Sequence, residues 1–123
     1  MANLKPQRAA ASSAPLPDMP IPADWVREGS PHATGTVLTQ SADKLVSNGL
    51  WECTAGRFEW TFAWDEFIHV LEGHAVITTE SGERLELRPG DSAHFPLGLK
   101  TEWHVPQRIR KSFTLRTPEP LEL

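Results

Sequence analysis

The residue most able to take part in chemistry is Glu66, a single carboxylate in an unusually aromatic stretch of the sequence, FEWTFAWDEFIHVLEG. Alternate residues of a β-strand face the same side, so Trp60, Phe62, Ile68 and Val70 are predicted to share a face with Glu66. An ionised carboxylate in such apolar surroundings costs free energy unless a cation or a hydrogen bond compensates. The pattern is typical of a general acid or base, or of a carboxylate that binds an amine or guanidinium ligand. A plain solvated carboxylate at a strand start is the other interpretation, and both stand at this point.

The remaining candidate nucleophiles and metal ligands have simpler interpretations. Cys53 is predicted to be a small buried apolar residue, because no histidine lies near it in the sequence to activate the thiol. His69 lies three residues beyond Glu66, so strand alternation predicts that it faces the opposite side. His94 and His104 are likewise interpreted as surface or strand-packing histidines. A metal site built from His69, His94 and His104 would need several strand faces to be reversed together.

The elements that must position these residues are short β-favouring runs separated by turn signals. No segment carries a 3.6-residue apolar stripe, and the sequence predicts about nine strands of an all-β sandwich or barrel. The clearest hairpin joins HAVITTE and ERLELR through Ser81 and Gly82, with Leu85 and Leu87 on one face. A second turn is predicted at RPGD, with Pro89 and Gly90 as its central residues. The other runs are TGTVLTQ, GLWECTA, RFEWTFAW, EFIHVLEG, SAHFP, TEWHV and RKSFTLR.

The chain is predicted to be one domain preceded by an arm. Residues 1–22 hold five of the eleven prolines among Ala and Ser, so this segment is interpreted as a mobile or extended arm. Its apolar Met19 and Ile21 allow it to dock on a partner subunit. Residues 23–123, which contain all five tryptophans, form the predicted β-barrel domain.

Composition excludes several classes of function. The net charge is −4 and the 12 basic residues are scattered, which argues against nucleic-acid binding. No apolar run approaches the roughly 20 residues of a membrane span, so no membrane partner is expected. A single cysteine forms no internal disulfide, and we expect a cytoplasmic protein.

Two segments carry a resemblance to a known family. EFIHVLEG and RPGDSAHFPLG resemble the two motifs of the cupins, which are small jelly-roll β-barrels. With the flanking GLWECTAGRFEWTF and IRKSFTL, the stretch from Asn48 to Leu115 is similar to single-domain cupins of the ureidoglycine-aminohydrolase-like, EutQ-related group, with its RmlC-like jelly roll. The resemblance implies an all-β cupin jelly-roll β-barrel, also called a double-stranded β-helix.

The resemblance also implies where a metal would bind, and the residues there differ from the family pattern. Glu66 and Gly73 keep the second half of the first motif. The two histidine positions of that motif fall on Trp60 and Phe62, or on Glu59 and Thr61 if the turn is one residue longer, and the last one falls on Thr101. A first-row divalent ion needs three or four strong protein ligands. No metal and no cofactor are therefore predicted.

The same alignment of motifs defines a candidate pocket. Glu66 is the candidate catalytic residue, and the predicted ligand pocket consists of Trp60, Phe62, Glu66, Thr101 and Trp103. Aromatic residues at alternating strand positions are also the usual content of a core.

Two further basic residues match the family's RK pair. Arg110 and Lys111 have two interpretations: a structural ion pair or strand-edge protection, and an anion contact at the barrel mouth or dimer seam.

Three functions are open at this stage. The first is a small-molecule-binding cupin with an aromatic-walled pocket around Glu66 and a degenerate metal site. The second is an enzyme acting on a small ureido or amino metabolite, as the aminohydrolase resemblance implies, with Glu66 as acid or base. The third is a module that serves mainly oligomerisation or regulation. A homodimer is predicted in each case.

Overall fold

The computed structural model describes residues 4–11 and 13–123, so residues 1–3 and Ser12 of the predicted arm lie outside the described residues. The described chain contains one short 3-10 turn, Ala23–Trp25, and eight strands. None of its described segments forms a helix long and apolar enough to cross a membrane. The strands are β1 Val26–Gly29, β2 Ala33–Gln40, β3 Val46–Thr61, β4 Asp65–Gly73, β5 Ala75–Thr79, β6 Arg84–Leu87, β7 Ser92–Phe95 and β8 Lys100–Arg116.

The all-β prediction is confirmed, but the strand count differs for an identifiable reason. Strands β3 and β8 each join two of the predicted runs, and the short β1 was not predicted. The two long strands pair with each other from Val46 opposite Arg116 to Thr61 opposite Lys100. Their register shifts once, between Thr54 and Gly56, so a β-bulge bends the pair without ending either strand.

This bend divides the sheet into two halves that share β3 and β8. The first half contains β2, β4 and β7, and the second contains β1, β5 and β6. Buried side chains of both halves belong to one core, in which Phe95 of the first half lies 5.9 Å from Trp103 of the second, measured between ring centroids. The inner faces of the two half-sheets therefore enclose the space in which a ligand site can form.

Glycines fix the two turns that the sequence predicts. Gly90 has a φ of +95°, and the Asp91 N–H donates to the Arg88 carbonyl over 3.0 Å, which confirms the RPGD turn. The hairpin of β5 and β6 is confirmed, with Leu87 buried.

A third glycine, Gly73 at the end of β4, is required by a close approach of two backbones. A Cβ at this position would lie 2.0 Å from the carbonyl oxygen of Arg108, so only glycine fits.

The second part of the arm packs on the chain's own barrel. The Gly35 N–H donates to the Pro17 carbonyl over 3.0 Å, and Met19 N–H donates to the carbonyl of Ala33 over the same distance. Ile21 is 7 % exposed and belongs to the core. The segment therefore extends the wall of the barrel beside β2.

Candidate functional site

Glu66 forms a buried ion pair with Lys111. The Lys111 Nζ donates to Glu66 Oε2 over 2.6 Å, and the two side chains are 7 % and 6 % exposed. The other carboxylate oxygen, Oε1, accepts a hydrogen bond of 3.0 Å from the Trp64 indole N–H. Both oxygens of the carboxylate thus have a donor, and the pair as a whole carries no net charge.

Strand alternation places the two charges on the inner face. Glu66 is the second residue of β4, where odd and even positions alternate between exposed and buried. Lys111 lies on β8 among inward residues, with Ile109 on one side and Phe113 on the other. Its backbone is opposite Val70, four residues beyond Glu66, so the long lysine side chain is needed to reach the carboxylate.

Two indole rings surround the ammonium group. The Nζ atom of Lys111 lies 4.8 Å from the centroid of the Trp51 ring and 5.0 Å from that of Trp103. Cation–π attraction at such distances stabilises a desolvated ammonium by roughly 2 kcal/mol or more. The two rings and the carboxylate together offset part of the cost of burying both charges.

The ion pair lines a cavity of about 420 Å³ whose walls are almost entirely apolar. Apart from indole N–H groups, the polar side chains among its described lining residues are Thr61, Glu66 and Lys111. A concave, mostly apolar site with a few convergent polar groups is the usual form of a small-molecule site. Seven aromatic side chains line it: Trp25, Trp51, Phe58, Trp60, Phe62, Trp64 and Phe113.

Segments near both ends of the described chain complete the cavity wall. Met19, Pro20 and Pro22 contribute from the arm, and Leu121 and Leu123 contribute from beyond β8. These parts of the wall could not be predicted from strand patterns, because they lie outside the strands that the patterns define.

Three of the five predicted pocket residues line this cavity: Trp60, Phe62 and Glu66. Trp60 packs edge-to-face on Trp25, with 5.1 Å between ring centroids. Phe62 is stacked on Phe95 at 4.7 Å, and its backbone N–H and carbonyl both bond to the loop before β8. These side chains are therefore held in place by contacts of their own.

The other two predicted pocket residues, Thr101 and Trp103, are buried behind the wall and are not among the described lining residues. The Thr101 hydroxyl donates to the Trp60 carbonyl over 2.7 Å and accepts the Trp103 indole N–H over 3.2 Å. Trp103 also contacts the Lys111 ammonium. Both residues thus lie behind the cavity wall and contact residues that line it.

The three histidines considered as metal ligands lie elsewhere. His69 Nδ1 is 3.0 Å from the Ser92 hydroxyl on the outer face, as strand alternation predicts. His94 is exposed and pairs with Asp65 at 3.1 Å, and His104 is half-buried. The hydrogen bonds from Arg116 and then from His94 hold the pKa of the Asp65 carboxyl below its usual value.

The donor set around Glu66 does not fit a transition metal. Within residues 4–11 and 13–123, no three His, Cys, Asp or Glu side chains come together as a metal site. The carboxylate is also in contact with a lysine ammonium, whose charge would repel a divalent cation. Within the described residues, the polar side chains of the cavity wall are thus one ion pair and Thr61, and the remaining wall is apolar or aromatic.

Cys53 is buried at 1 % exposure, as predicted. Desolvation raises the pKa of its thiol to about 12, a rise that the charge of Lys111 opposes. A thiol with such a pKa is protonated at neutral pH and is a poor nucleophile.

The pairing of Lys111 with Glu66 is the feature of the candidate site that the sequence did not predict. The ion-pair interpretation of Arg110 and Lys111 is correct, because Arg110 pairs with Glu52 and Lys111 with Glu66. Sequence reasoning did not assign these partners. The available signal was parity, since Lys111 lies an even number of residues from both Trp103 and Phe113.

A comparison of sequences places the chain beside one family. A family profile described as the EutQ-like cupin domain matches residues 40–113. Curated protein sequences give no significant match.

Solved structures share the fold at low sequence identity. EutQ from Clostridium difficile has a TM-score of 0.64 and 22 % identity over 72 % of this chain and 70 % of its own. The ethanolamine utilization protein Q of Salmonella typhimurium LT2 has a TM-score of 0.62 and 26 % identity over 74 % and 72 %. The polyketide cyclase RemF of Streptomyces resistomycificus has a TM-score of 0.72 and 19 % identity over 95 % and 83 %. These matches confirm the jelly-roll barrel, and their different names show that the fold does not select one reaction.

Proposed function

Because this chain belongs to the EutQ-like cupin domain family, we propose that it binds a small organic ligand in the aromatic cavity, against the Glu66–Lys111 pair. The observation that carries the proposal is the combination of a cavity of about 420 Å³ with a single buried ion pair on its wall. Surfaces that serve only packing are filled by side chains, whereas this space is open and has a polar group at one point.

The walls favour a flat and mostly apolar ligand. Rings stack well on indole and phenyl faces, and seven aromatic side chains line the space. The pair is neutral overall, so a charged ligand would bring an uncompensated charge into an apolar site at high cost. A neutral ligand with one hydrogen-bonding oxygen suits both the walls and the pair.

Calorimetric titration with three matched naphthalenes tests this ligand class. The probes are neutral 2-naphthol, anionic 2-naphthoate and cationic 2-naphthylmethylammonium, which share one ring system and differ in charge. We expect 2-naphthol to bind at least about tenfold more tightly than either charged analogue, equivalent to about 1.4 kcal/mol. A wild-type protein that binds none of the three, or prefers a charged probe, contradicts the proposal.

Single substitutions in the pair should redirect the preference. Glu66→Gln leaves Lys111 without its counter-charge, so 2-naphthoate should gain at least about tenfold in affinity relative to 2-naphthol. Glu52→Gln is the matched control, because Glu52 pairs with Arg108 and Arg110 on the outer face and does not line the cavity. A Glu66→Gln protein with the wild-type order of preference would show that the ligand binds elsewhere.

The alternative of an enzyme for ureido or amino metabolites has less support. A ureido group carries several donors and acceptors, and each needs a partner once it is buried. The described cavity wall offers Thr61 and the ion pair as polar side chains, and both oxygens of Glu66 already accept hydrogen bonds. Allantoate and other ureido compounds in the same titration are expected to bind far more weakly than 2-naphthol.

The homodimer stays a prediction. On the outer face of the first half-sheet, Phe67 and Leu71 are 51 % and 40 % exposed, which leaves apolar area for a second copy. Light scattering should give about twice the 13.7 kDa mass of the chain. A single species at the monomer mass rejects the dimer and leaves the ligand-binding proposal unchanged.

A further inference from the structure

Both members of the buried pair keep hydrogen-bonding capacity that the described residues of the chain do not use. An ammonium group has three N–H donors, and Lys111 gives one of them to Glu66. A carboxylate offers about four lone-pair directions, and Glu66 accepts two hydrogen bonds, from Trp64 and Lys111. Because both side chains line the cavity, a bound ligand can meet a donor and a base side by side.

A base beside a fixed cationic donor can remove a proton from the carbon adjacent to a carbonyl group. The ammonium donates to the carbonyl oxygen and stabilises the negative charge that develops there. The carboxylate takes the proton from the adjacent carbon. The 2.6 Å separation between Lys111 Nζ and Glu66 Oε2 brings the two functions within the span of one carbonyl and its neighbouring carbon.

From this geometry we propose that the site catalyses the enolisation of flat, uncharged ketones. Glu66 removes a proton from the α-carbon, and the electrons of that C–H bond form a C=C bond. The π electrons of the carbonyl move to its oxygen, where the Lys111 ammonium stabilises the enolate. Glu66, now a carboxylic acid, exchanges its proton with solvent and delivers a solvent-derived proton, or a deuteron in D₂O, back to carbon. The cycle is balanced and consumes no other reactant.

The surroundings of the pair favour this chemistry over simple binding. Electrostatic stabilisation is stronger where apolar walls exclude water than it is in bulk solvent. Contacts with Trp51 and Trp103 hold the ammonium in place, so little reorganisation is needed when charge develops on the ligand. The aromatic walls suit a ketone conjugated or fused to a ring. The inference rests on the proposed function, because the ketone must first bind in the cavity.

Deuterium incorporation into 2-tetralone tests the inference. This bicyclic ketone has exchangeable α-protons, and proton NMR in D₂O measures their loss with and without the protein. General-base catalysis contributes about 10²- to 10⁴-fold, so we expect exchange at least about 100-fold above the buffer rate at saturating protein. Glu66→Gln should return the rate to that of buffer, and Lys111→Gln should lower it at least about tenfold.

The controls separate this site from other amines and carboxylates of the protein. Glu52→Gln, whose pair lies outside the cavity, should exchange 2-tetralone at the wild-type rate. 2-Naphthol resembles the enol of 2-tetralone and should inhibit exchange competitively, because a site built for the enolate binds its analogue. Inhibition by 2-naphthol also tests the site if a Glu66 variant fails to fold.

The outcomes distinguish the inference from the proposed function. If 2-tetralone raises the thermal midpoint but exchanges at the buffer rate, the inference is wrong and the binding proposal stands. Exchange that survives Glu66→Gln or excess 2-naphthol also overturns the inference. Failure of 2-naphthol and 2-tetralone to bind overturns both.

Discussion

Asp65 and Glu66 are neighbours in β4, and each pairs with a basic residue of β8, but on opposite faces of the sheet. Asp65 bonds to Arg116 at 2.9 Å on the outer face, where the arginine side chain is 71 % exposed. Glu66 bonds to Lys111 at 2.6 Å on the inner face, where both side chains are at most 7 % exposed. Both are pairs of a carboxylate with a basic side chain, and they differ in how far their side chains are exposed to water.

The comparison teaches that exposure, more than the contact itself, decides what an ion pair does in this barrel. The outer pair is partly screened by water and adds little to stability, because the Arg116 guanidinium stays solvated although the Asp65 side chain is only 19 % exposed. The inner pair has no solvent to replace a lost partner, so each charge depends on the other. A ligand in the cavity can bind to such a pair through the donors and lone pairs that the two side chains do not use on each other.

The largest expected effect comes from breaking the inner pair. Lys111→Met leaves the Glu66 carboxylate buried without a cation, and we expect a loss of about 3–5 kcal/mol in the free energy of unfolding. The double variant Glu66→Gln with Lys111→Met should recover most of this loss, because no charge is then left unpaired. Urea denaturation gives the values. Glu52→Gln, which breaks an outer pair, should cost at most about 1 kcal/mol.

A loss of less than about 1 kcal/mol for Lys111→Met would place the pair in contact with water. The cavity would then lack the low dielectric on which the proposals for Glu66 depend.

Aromatic residues provide a second contrast between the two faces. Phe62 is 2 % exposed and stacks on Phe95, whereas Phe67 is 51 % exposed and stacks on His94 at 4.4 Å. We expect Phe62→Ala to lower the free energy of unfolding by about 3 kcal/mol and Phe67→Ala by less than about 1 kcal/mol. Equal losses in thermal or urea unfolding would contradict the assignment of the two faces.

The buried thiol gives a third contrast, in reactivity. Because burial raises the pKa of Cys53 to about 12, native protein should react with iodoacetamide at pH 8 at least about tenfold more slowly than protein in urea. A matched control is Ala55→Cys in a Cys53→Ser background, since Ala55 is exposed. Rapid modification of the native wild type, measured by mass spectrometry, would show that the barrel opens at this strand.

The smallest effect is the pH dependence of the outer pair. The folded-state pKa of Asp65 is lowered by Arg116 and His94, so the stability from this group is present above the unfolded pKa of about 3.9. It is lost as the pH falls through the folded pKa. The difference in thermal midpoint between wild type and Asp65→Asn should therefore shrink as the pH falls from about 5 to about 2. A difference that grows over that acid range contradicts this sign.

Much of the site was accessible to sequence reasoning because strand alternation is local. Alternation around Glu66 correctly predicted that Phe62, Ile68 and Val70 are buried with it and that His69 faces outward. The family motifs correctly predicted the barrel, and the turn residues of RPGD correctly predicted the positive φ of Gly90.

The partner of Glu66 escaped prediction because it depends on pairing between distant strands. The runs TEWHV and RKSFTLR were interpreted as two strands, so the inward parity of Trp103 was not carried to Lys111 along one continuous β8. The bulge between Thr54 and Gly56, opposite that junction, hides the continuity in sequence. The cavity walls from the arm and from beyond β8 arise only in the folded chain.

The most direct test of the central claim is the position of a bound neutral ligand. Isotope-filtered NMR of the 2-naphthol complex should give intermolecular NOEs from the naphthol ring to the Trp60 and Phe62 rings, and to the Lys111 side chain. The outer face offers a competing aromatic surface at Phe67 and His94. NOEs confined to Phe67 and its neighbours would contradict the account, because the ligand would then bind outside the cavity and away from the buried pair.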